Sequence, residues 1–131
     1  MKFDIGILQM AQGLAAHAST RQSVIAQNIA NADTPGYKAQ DTASFAETYT
    51  SNLKANSPRP VRVGHIDLGA PFKDGNLVES AAFGSESPNG NTVSIEDQMV
   101  RAADVRHKHD LALGIYGKSI DILRAGMGRI R

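Results

Sequence analysis

The sequence has no cysteine and no tryptophan, and phenylalanine and tyrosine together supply only 5% of its residues. Without cysteine, a disulfide scaffold, a cysteine-ligated metal and a thiol nucleophile are all excluded. The shortage of large rings argues against a deep globular core of the ordinary kind. The 131 residues are about enough for one domain.

An excess of either charge is also missing, since the formal net charge is +1. This balance excludes a strong electrostatic grip on nucleic acid or on an anionic membrane, so we expect neither a nucleic-acid partner nor direct lipid binding. Polar residues interrupt every apolar stretch well short of the roughly 20 residues that span a bilayer. At the N-terminus, Lys2 is followed by Asp4 where a secretory signal would begin its apolar run, so we expect no cleaved signal peptide.

Catalytic and metal-binding patterns are likewise absent from the sequence. The carboxylates are scattered, and no Ser/His/Asp order or phosphate-binding loop occurs. His107 and His109 are two residues apart, and on a helix such side chains point to different sides and cannot share an ion. We therefore expect no enzyme activity, no cofactor and no metal.

The first 33 residues predict a long helix that starts at Ile5, with Asp4 as its N-cap, and ends near Asn31. Positions 7, 11, 14, 18, 21, 25 and 28 form one stripe along it. Only four residues of this segment are charged, namely Lys2, Asp4, Arg21 and Asp33. A solvated helix face normally carries more charge, so other protein surfaces are expected to cover this helix.

The middle of the chain is rich in turn signals. Pro35 and Gly36 suit the two central positions of a type II turn. Residues 38–92 show no helical period, and residues 61–63 alternate like a short strand. About 50 residues of this kind are rare in a compact domain unless they are functional or disordered.

A second long helix begins after Ser94, a favourable N-cap, with Asp97 three residues later. Apolar residues recur from it in alternate steps of four and three, at 95, 99, 102, 113, 116, 120, 123, 127 and 130, interrupted only by Arg106 and His109. This stripe is typical of a coiled-coil seam. Two pairs with the acid four residues before the base support the helix, Asp97 with Arg101 and Asp104 with Lys108.

Together these patterns predict a mainly α fold, in which long N- and C-terminal helices pair as a coiled-coil-like hairpin. The N-terminal axial helix takes 1–33, a loop-rich middle with at most short β-strands takes 34–93, and the C-terminal axial helix takes 94–131. One narrow stripe per helix can hardly offset the ordering entropy of about 60 helical residues. We therefore expect the chain to complete its fold in an assembly.

Two blocks of sequence resemble a known family. Residues 21–39 carry Asn-Ile-Ala-Asn at 28–31 and Pro-Gly-Tyr at 35–37, which resemble the N-terminal signature of flagellar rod and hook proteins. Residues 89–93, Asn-Gly-Asn-Thr-Val, resemble the stretch that opens the C-terminal helix of that family. The form of residues 32–39 is most similar to the proximal rod subunits.

The resemblance implies a structural subunit of the flagellar basal-body rod, a periplasm-spanning shaft that transmits motor torque. Such subunits assemble with copies of themselves and with adjacent rod and basal-body proteins. They leave the cell through the flagellar type III export apparatus without a cleaved signal. The alternatives are another axial rod subunit of the same family or a free-standing coiled-coil adaptor. A small nucleic-acid-binding helix is a weaker third class, because residues 94–131 carry only a small positive excess.

Candidate interface residues come from the two stripes and from the turn. Arg21 either pairs with a carboxylate of a neighbouring subunit or snorkels, with its stem on the helix and its charged end in water. Asn28 and Asn31 either form hydrogen bonds with neighbouring subunits or simply occupy the last turn of the helix. The set expected at subunit interfaces is Leu14, Arg21, Ile25, Asn28, Asn31, Pro35, Gly36, Tyr37, Leu113, Tyr116, Ile120, Leu123 and Met127.

Overall fold

The computed structural model describes residues 2–55, 77–80 and 87–128. Five elements follow along the chain: α1 (Lys2–Ala30), β1 (Gln40–Thr42), α2 (Phe45–Ala55), β2 (Leu77–Glu79) and α3 (Ile95–Met127). The strand expected at 61–63 lies outside the described residues, as does Ile130 at the end of the α3 stripe. None of the helices in the described part of the chain is long and apolar enough to cross a membrane.

The two long helices pack against each other along their length and account for most contacts between elements. Asn28 near the end of α1 meets Gln98 near the start of α3. Further along, Ala18 and Ile25 pack on Val105 and Ala102. The pair is therefore antiparallel, and its alanines allow close approach of the helices. This confirms the predicted mainly helical hairpin.

The stripe predicted on α1 is the face that packs inward. Its members Ala11, Ala18, Ile25 and Asn28 are buried, while Ile7 at its start is exposed. The predicted start of the helix is wrong, because α1 already begins at Lys2 and Asp4 lies within it rather than at its N-cap. The helix ends at Ala30, close to the expected Asn31.

The predicted start of α3 is confirmed, since the Ser94 side chain accepts a hydrogen bond from the Asp97 N–H. Both predicted pairs form, with Arg101 Nε 2.7 Å from Asp97 and Lys108 Nζ 2.8 Å from Asp104. The hairpin seam on α3 differs from the prediction. Its fully buried line is Gln98, Val105 and Ala112, seven residues apart.

Apart from Ala102, which packs on Ala18 and Ile25, the predicted α3 stripe is thus rotated away from the hairpin seam. Met99, Leu113 and Met127 are each more than half exposed, although they belong to the strongest apolar pattern of the helix. The reason is that α3 meets the small residues of α1 through its own small and polar residues. The prediction that this stripe forms the seam of the hairpin is therefore wrong, except at Ala102.

The middle segment contains a helix that the sequence pattern did not indicate. Residues 38–92 were expected to lack helix, but α2 spans Phe45–Ala55 and contacts α1. Ser44 begins it, since its backbone carbonyl and side chain meet the N–H groups of Thr48 and Glu47. Among the described residues, the expected short β elements are present as one antiparallel pair, β1 with β2, in which Asp41 faces Val78.

Candidate functional site

The turn after α1 is held by the segment that leads into α3. Gly36 has φ of 71°, the conformation that a type II turn requires at its third residue, and the Tyr37 N–H donates to the Thr34 carbonyl at 3.3 Å. The Gly36 N–H donates to the Asn89 carbonyl at 2.9 Å, and the Thr92 N–H donates to the Tyr37 carbonyl at 3.1 Å. The two sequence blocks singled out above therefore lie side by side.

The Asn91 side chain binds the backbone of the turn that follows α1. Its side-chain NH₂ lies 3.0, 2.8 and 2.8 Å from the carbonyl oxygens of Asn31, Ala32 and Thr34. Its own carbonyl oxygen accepts from the Val93 N–H at 2.7 Å. These three carbonyls belong to the turn that follows α1, and the Asn31 carbonyl also accepts from the Thr34 N–H at 3.0 Å, so the buried Asn91 amide ties that turn to the segment before α3.

Asn28 joins α1, β1 and α3 from a fully buried position. Its NH₂ donates to the Gln40 carbonyl at 2.7 Å and to the Gln98 side-chain oxygen at 3.0 Å. Its oxygen accepts from the Gln40 N–H at 3.0 Å and from the Tyr37 hydroxyl at 3.3 Å. We call Asn28, Tyr37, Gln40, Asn91 and Gln98 the polar joint. All the bonding capacity of the Asn28 amide is used within the chain.

A charged network lies beside the joint. Arg21 binds Asp41 with two parallel hydrogen bonds, each of 2.8 Å, and Arg101 reaches the same carboxylate at 2.6 Å. The side chains of Asp41, Arg21 and Arg101 are only 11%, 19% and 16% exposed. Arg101 also binds Asp97. Because Asp41 belongs to β1, the network fixes that strand to both long helices.

The pKa of Asp41 is set by two opposed influences. Burial raises the pKa of this carboxyl, but hydrogen bonds from Arg21 and from the Thr42 N–H, together with the two guanidinium charges, outweigh burial. The pKa therefore lies below its ordinary value. The hydrogen bond with Asp41 likewise raises the pKa of Arg21. Both groups are charged at neutral pH.

The charged network around Asp41 is expected to weaken in acid. A carboxyl whose pKa is lowered in the folded state adds stability above its unfolded pKa and loses it as the pH falls through the folded pKa. We expect the thermal midpoint of the helical circular dichroism signal to hold down to about pH 5 and to drop below about pH 4. Asp41→Asn should make that drop shallower. An equal acid drop in this variant would show that Asp41 is not its source.

His17 is a further buried contact between α1 and the middle segment. Its Nε2 lies 2.8 Å from the Ala43 carbonyl oxygen, which identifies Nε2–H as the donor. Its ring packs edge-on against Phe45 with 5.7 Å between ring centres. No partner for His17 could be inferred from the sequence, because Thr42, Ala43 and Phe45, which contact it, lie 25 or more positions away.

Comparison with known proteins agrees with this arrangement. The family model for the flagella basal body rod protein matches residues 8–38, which include most of α1 and the turn. The FlgB rod protein of Agrobacterium fabrum is 26% identical over 110 residues, covering 82% of this chain and 81% of the relative. The FlgB protein of Bacillus subtilis is 30% identical over 100 residues, covering 75% and 74%. This chain belongs to the FlgB family. The FlgB protein of Salmonella typhimurium is 29% identical over 107 residues, covering 76% and 77%.

In this FlgB-family chain the expected interface residues fall into two groups. Arg21, Ile25, Asn28 and Tyr37 lie in or beside the polar joint and contact their own chain. The rest are exposed or half-buried, and their contact with other subunits stays a prediction. These are Leu14, Asn31, Pro35, Gly36, Leu113, Tyr116, Ile120, Leu123 and Met127.

The sequence patterns missed several residues that the FlgB-family structure brings to the site. Asp41, Asn91 and Gln98 are polar, and their partners lie up to 70 residues away, so no local periodicity marks them. A second exposed apolar set on α3, Leu111, Ile115 and Ile122, was also missed. The spacing of four and seven residues in this set is typical of one helix face, but the set was overlooked because the apolar stripe through Leu113 is longer.

Proposed function

We propose that this chain is a structural subunit of the bacterial flagellar basal-body rod, and that it assembles with copies of itself and with other rod proteins into the shaft that transmits motor torque. The observation that carries the proposal is the similarity to FlgB rod proteins over about three quarters of the chain or more. A free-standing coiled-coil adaptor is disfavoured, because such a protein presents charged outer faces to water.

The exposed stripe of α3 supports an assembling role. Leu113 is 53% exposed and Met127 68% exposed, and Tyr116 lies between them on the same side. Half-buried Ile120 and Leu123 complete this stripe. Apolar area exposed along a whole helix face costs free energy in water and is removed from it when another protein packs there.

The surface beside this stripe suits a neighbouring helix. A groove of about 550 Å³ runs between α1 and α3, lined by Ala18, Ser19 and Gln22 on one side and by Ala102 and Arg106 on the other. It leads toward a second recess bordered by Leu113 and Tyr116. Small, uncharged residues on α1 leave room for a helix to approach closely. We propose that Arg21, Ile25 and Asn28 support this interface from inside by fixing the two helices.

The remaining parts of the proposal follow from the family. The partners are copies of this chain, adjacent rod and basal-body proteins and the flagellar type III export apparatus. The location is the periplasm-spanning rod of the basal body, reached without a cleaved signal peptide. The role is structural rather than catalytic, which suits a site whose charged groups are engaged with one another.

Leu113→Asp tests the proposed assembly surface. Because Leu113 is more than half exposed, the change should alter the stability of the isolated chain by well under about 1 kcal/mol. In the rod the new carboxylate would be buried without a partner, which costs several kcal/mol. We expect cells with this variant to make the chain but to lose the swimming halo in soft agar, and electron microscopy to find no complete rods.

Two control variants separate packing from charge. Leu113→Met keeps an apolar side chain at the same position and should swim normally. Asp110→Lys makes a larger change of charge on the outward side of α3 and should be mild. If Leu113→Asp swims as well as Leu113→Met, this stripe is not a subunit interface.

A further inference from the structure

All three methionines within the described residues lie on the surface. Met10, Met99 and Met127 are 42%, 64% and 68% exposed. Methionine is ordinarily among the residues most often buried in folded proteins. Because the chain has no cysteine, the thioethers of its methionines are also its only sulfur atoms. Any oxidation of sulfur in this chain therefore takes place at a methionine, and water reaches these three.

Two of these methionines belong to the apolar stripe of α3. Met99 lies near the start of the helix and Met127 at its end, about 42 Å apart at 1.5 Å per residue. Between them the stripe carries the hydrocarbon side chains of Leu113, Ile120 and Leu123, which have no lone pair that could accept an oxygen atom. Sensitivity to oxygen transfer is therefore concentrated at the two ends of the proposed assembly surface.

A peroxide converts a thioether to a sulfoxide by transferring one oxygen atom. A lone pair of the sulfur forms the new S–O bond while the O–O bond breaks, so the sulfur loses two electrons and hydrogen peroxide is reduced to water. The product is polar and carries a strong hydrogen-bond acceptor in place of a soft, apolar sulfur. The reaction thus makes an apolar side chain polar without changing its length.

The effect of this change depends on whether the side chain is in water. In the isolated chain a sulfoxide at Met99 or Met127 is hydrated, so the fold should be nearly as stable as before. On a surface packed against another protein the same oxygen has to leave water, which is unfavourable where no donor replaces the water. Oxidation at these two positions should therefore impair assembly rather than folding.

We propose that Met99 and Met127 are a modification site, at which a peroxide forms the sulfoxide and thereby prevents the free subunit from entering the rod. This inference rests on the proposed rod function. In an assembled subunit the stripe is buried and its sulfur atoms are protected, so the modification acts on free chains. Met10 lies on α1, away from this stripe, and its oxidation does not have this effect.

Oxidation of the purified chain tests the chemistry separately from assembly. Peptide mass spectrometry after addition of hydrogen peroxide would follow the sulfoxide at each methionine, with free methionine in the same solution as the reference. We expect Met99 and Met127 to be oxidised about as fast as the free amino acid, and the thermal midpoint of the helical circular dichroism signal to stay nearly unchanged. Much slower oxidation of these two residues, or loss of the helical signal, would overturn the proposal.

Competition between two versions of the chain tests the effect on assembly. The cells would lack the natural gene and methionine sulfoxide reductase, the enzyme that reverses the oxidation. They would make equal amounts of the wild-type chain and the double variant Met99→Leu/Met127→Leu, with or without hydrogen peroxide. Leucine keeps both positions apolar and cannot be oxidised in this way, and damage to other proteins affects both versions alike.

Without peroxide, both versions should enter basal bodies equally. With peroxide, once most of the free wild-type chain carries sulfoxide, the double variant should exceed the wild-type chain in basal bodies by about tenfold. Met10→Leu is the matched control, because Met10 is also exposed but lies away from the stripe. In competition with the wild-type chain, it should keep an equal share under both conditions.

The proposal is overturned if peroxide oxidises the free wild-type chain at Met99 and Met127 but leaves it and the double variant equally represented in basal bodies. It is also overturned if Met10→Leu gains as large an advantage as the double variant. If neither version is found in the basal bodies of untreated cells, the proposed rod function itself is refuted, whatever the purified chain shows.

Discussion

Asn28→Ala is expected to open the polar joint. The change leaves the Gln40 N–H and carbonyl, the Gln98 amide and the Tyr37 hydroxyl without the partner they now share. An unsatisfied buried polar group costs about 1–3 kcal/mol, so we expect the free energy of local opening to fall by about 3 kcal/mol or more. Amide hydrogen exchange on the purified chain would measure this loss at Gln40 and in the first turns of α3.

Gln27→Ala is the control for this experiment, because the neighbouring Gln27 side chain is exposed. Its backbone carbonyl, which accepts from the Asn31 side chain, is unaffected by the substitution. It should change the opening free energy by less than about 0.5 kcal/mol. Similar exchange rates in the two variants would mean that Asn28 does not hold α1, β1 and α3 together.

Asp41→Asn should be about as damaging, for an electrostatic reason. It removes the one carboxylate that Arg21 and Arg101 share and leaves two guanidinium groups largely buried. Removal of one partner from a buried ion pair costs about 3–5 kcal/mol. We expect β1 to detach from the long helices, and hydrogen exchange at Thr42 and Ser80 to become fast, since the Ser80 N–H donates to the Ala39 carbonyl beside β1.

Asp104→Asn provides the comparison on the same network. Asp104 is 47% exposed and lies 3.5 Å from Arg21 and 2.8 Å from Lys108. Pairs this exposed contribute less than about 1 kcal/mol, so the variant should leave exchange at Thr42 almost unchanged. If Asp104→Asn proved as damaging as Asp41→Asn, burial would not explain why the ion pairs of Asp41 contribute more to stability than those of Asp104.

The face of α1 that packs inward was predictable from the sequence, whereas that of α3 was not. On α1 the stripe through Ala18 and Ile25 is also the packing face. On α3 the most apolar stripe, with Leu113 and Met127, is exposed, and the hairpin uses Gln98, Val105 and Ala112. A hydrophobic pattern marks the face that will be buried, but it does not say by which chain. We propose that neighbouring subunits, rather than α1 of the same chain, cover the most apolar stripe of α3.

The polar joint could not be derived from periodicity. Asn28, Tyr37 and Asn91 lie in the two blocks that resemble the family, whereas Gln40 and Gln98 do not. The bonds of Asn91 to the turn after α1 and of Gln98 to Asn28 span about 60 and 70 residues. One sequence contains no sign of which distant amides pair.

Helix α2 was missed for a different reason. Phe45, Tyr49 and Leu53 recur every four residues, but its 11 residues also include Glu47, Lys54, two threonines, a serine and an asparagine, and so short an apolar pattern among turn signals was overlooked.

Cryo-electron microscopy of basal bodies isolated from cells that carry this chain tests the rod function most directly. At side-chain resolution, α1 and α3 should fit density within the rod wall, with Asn28 buried inside each subunit and Leu113 against a neighbouring one. The account would be contradicted by a complete rod whose density is filled entirely by other proteins, or by rods that form normally in cells from which the gene for this chain has been deleted.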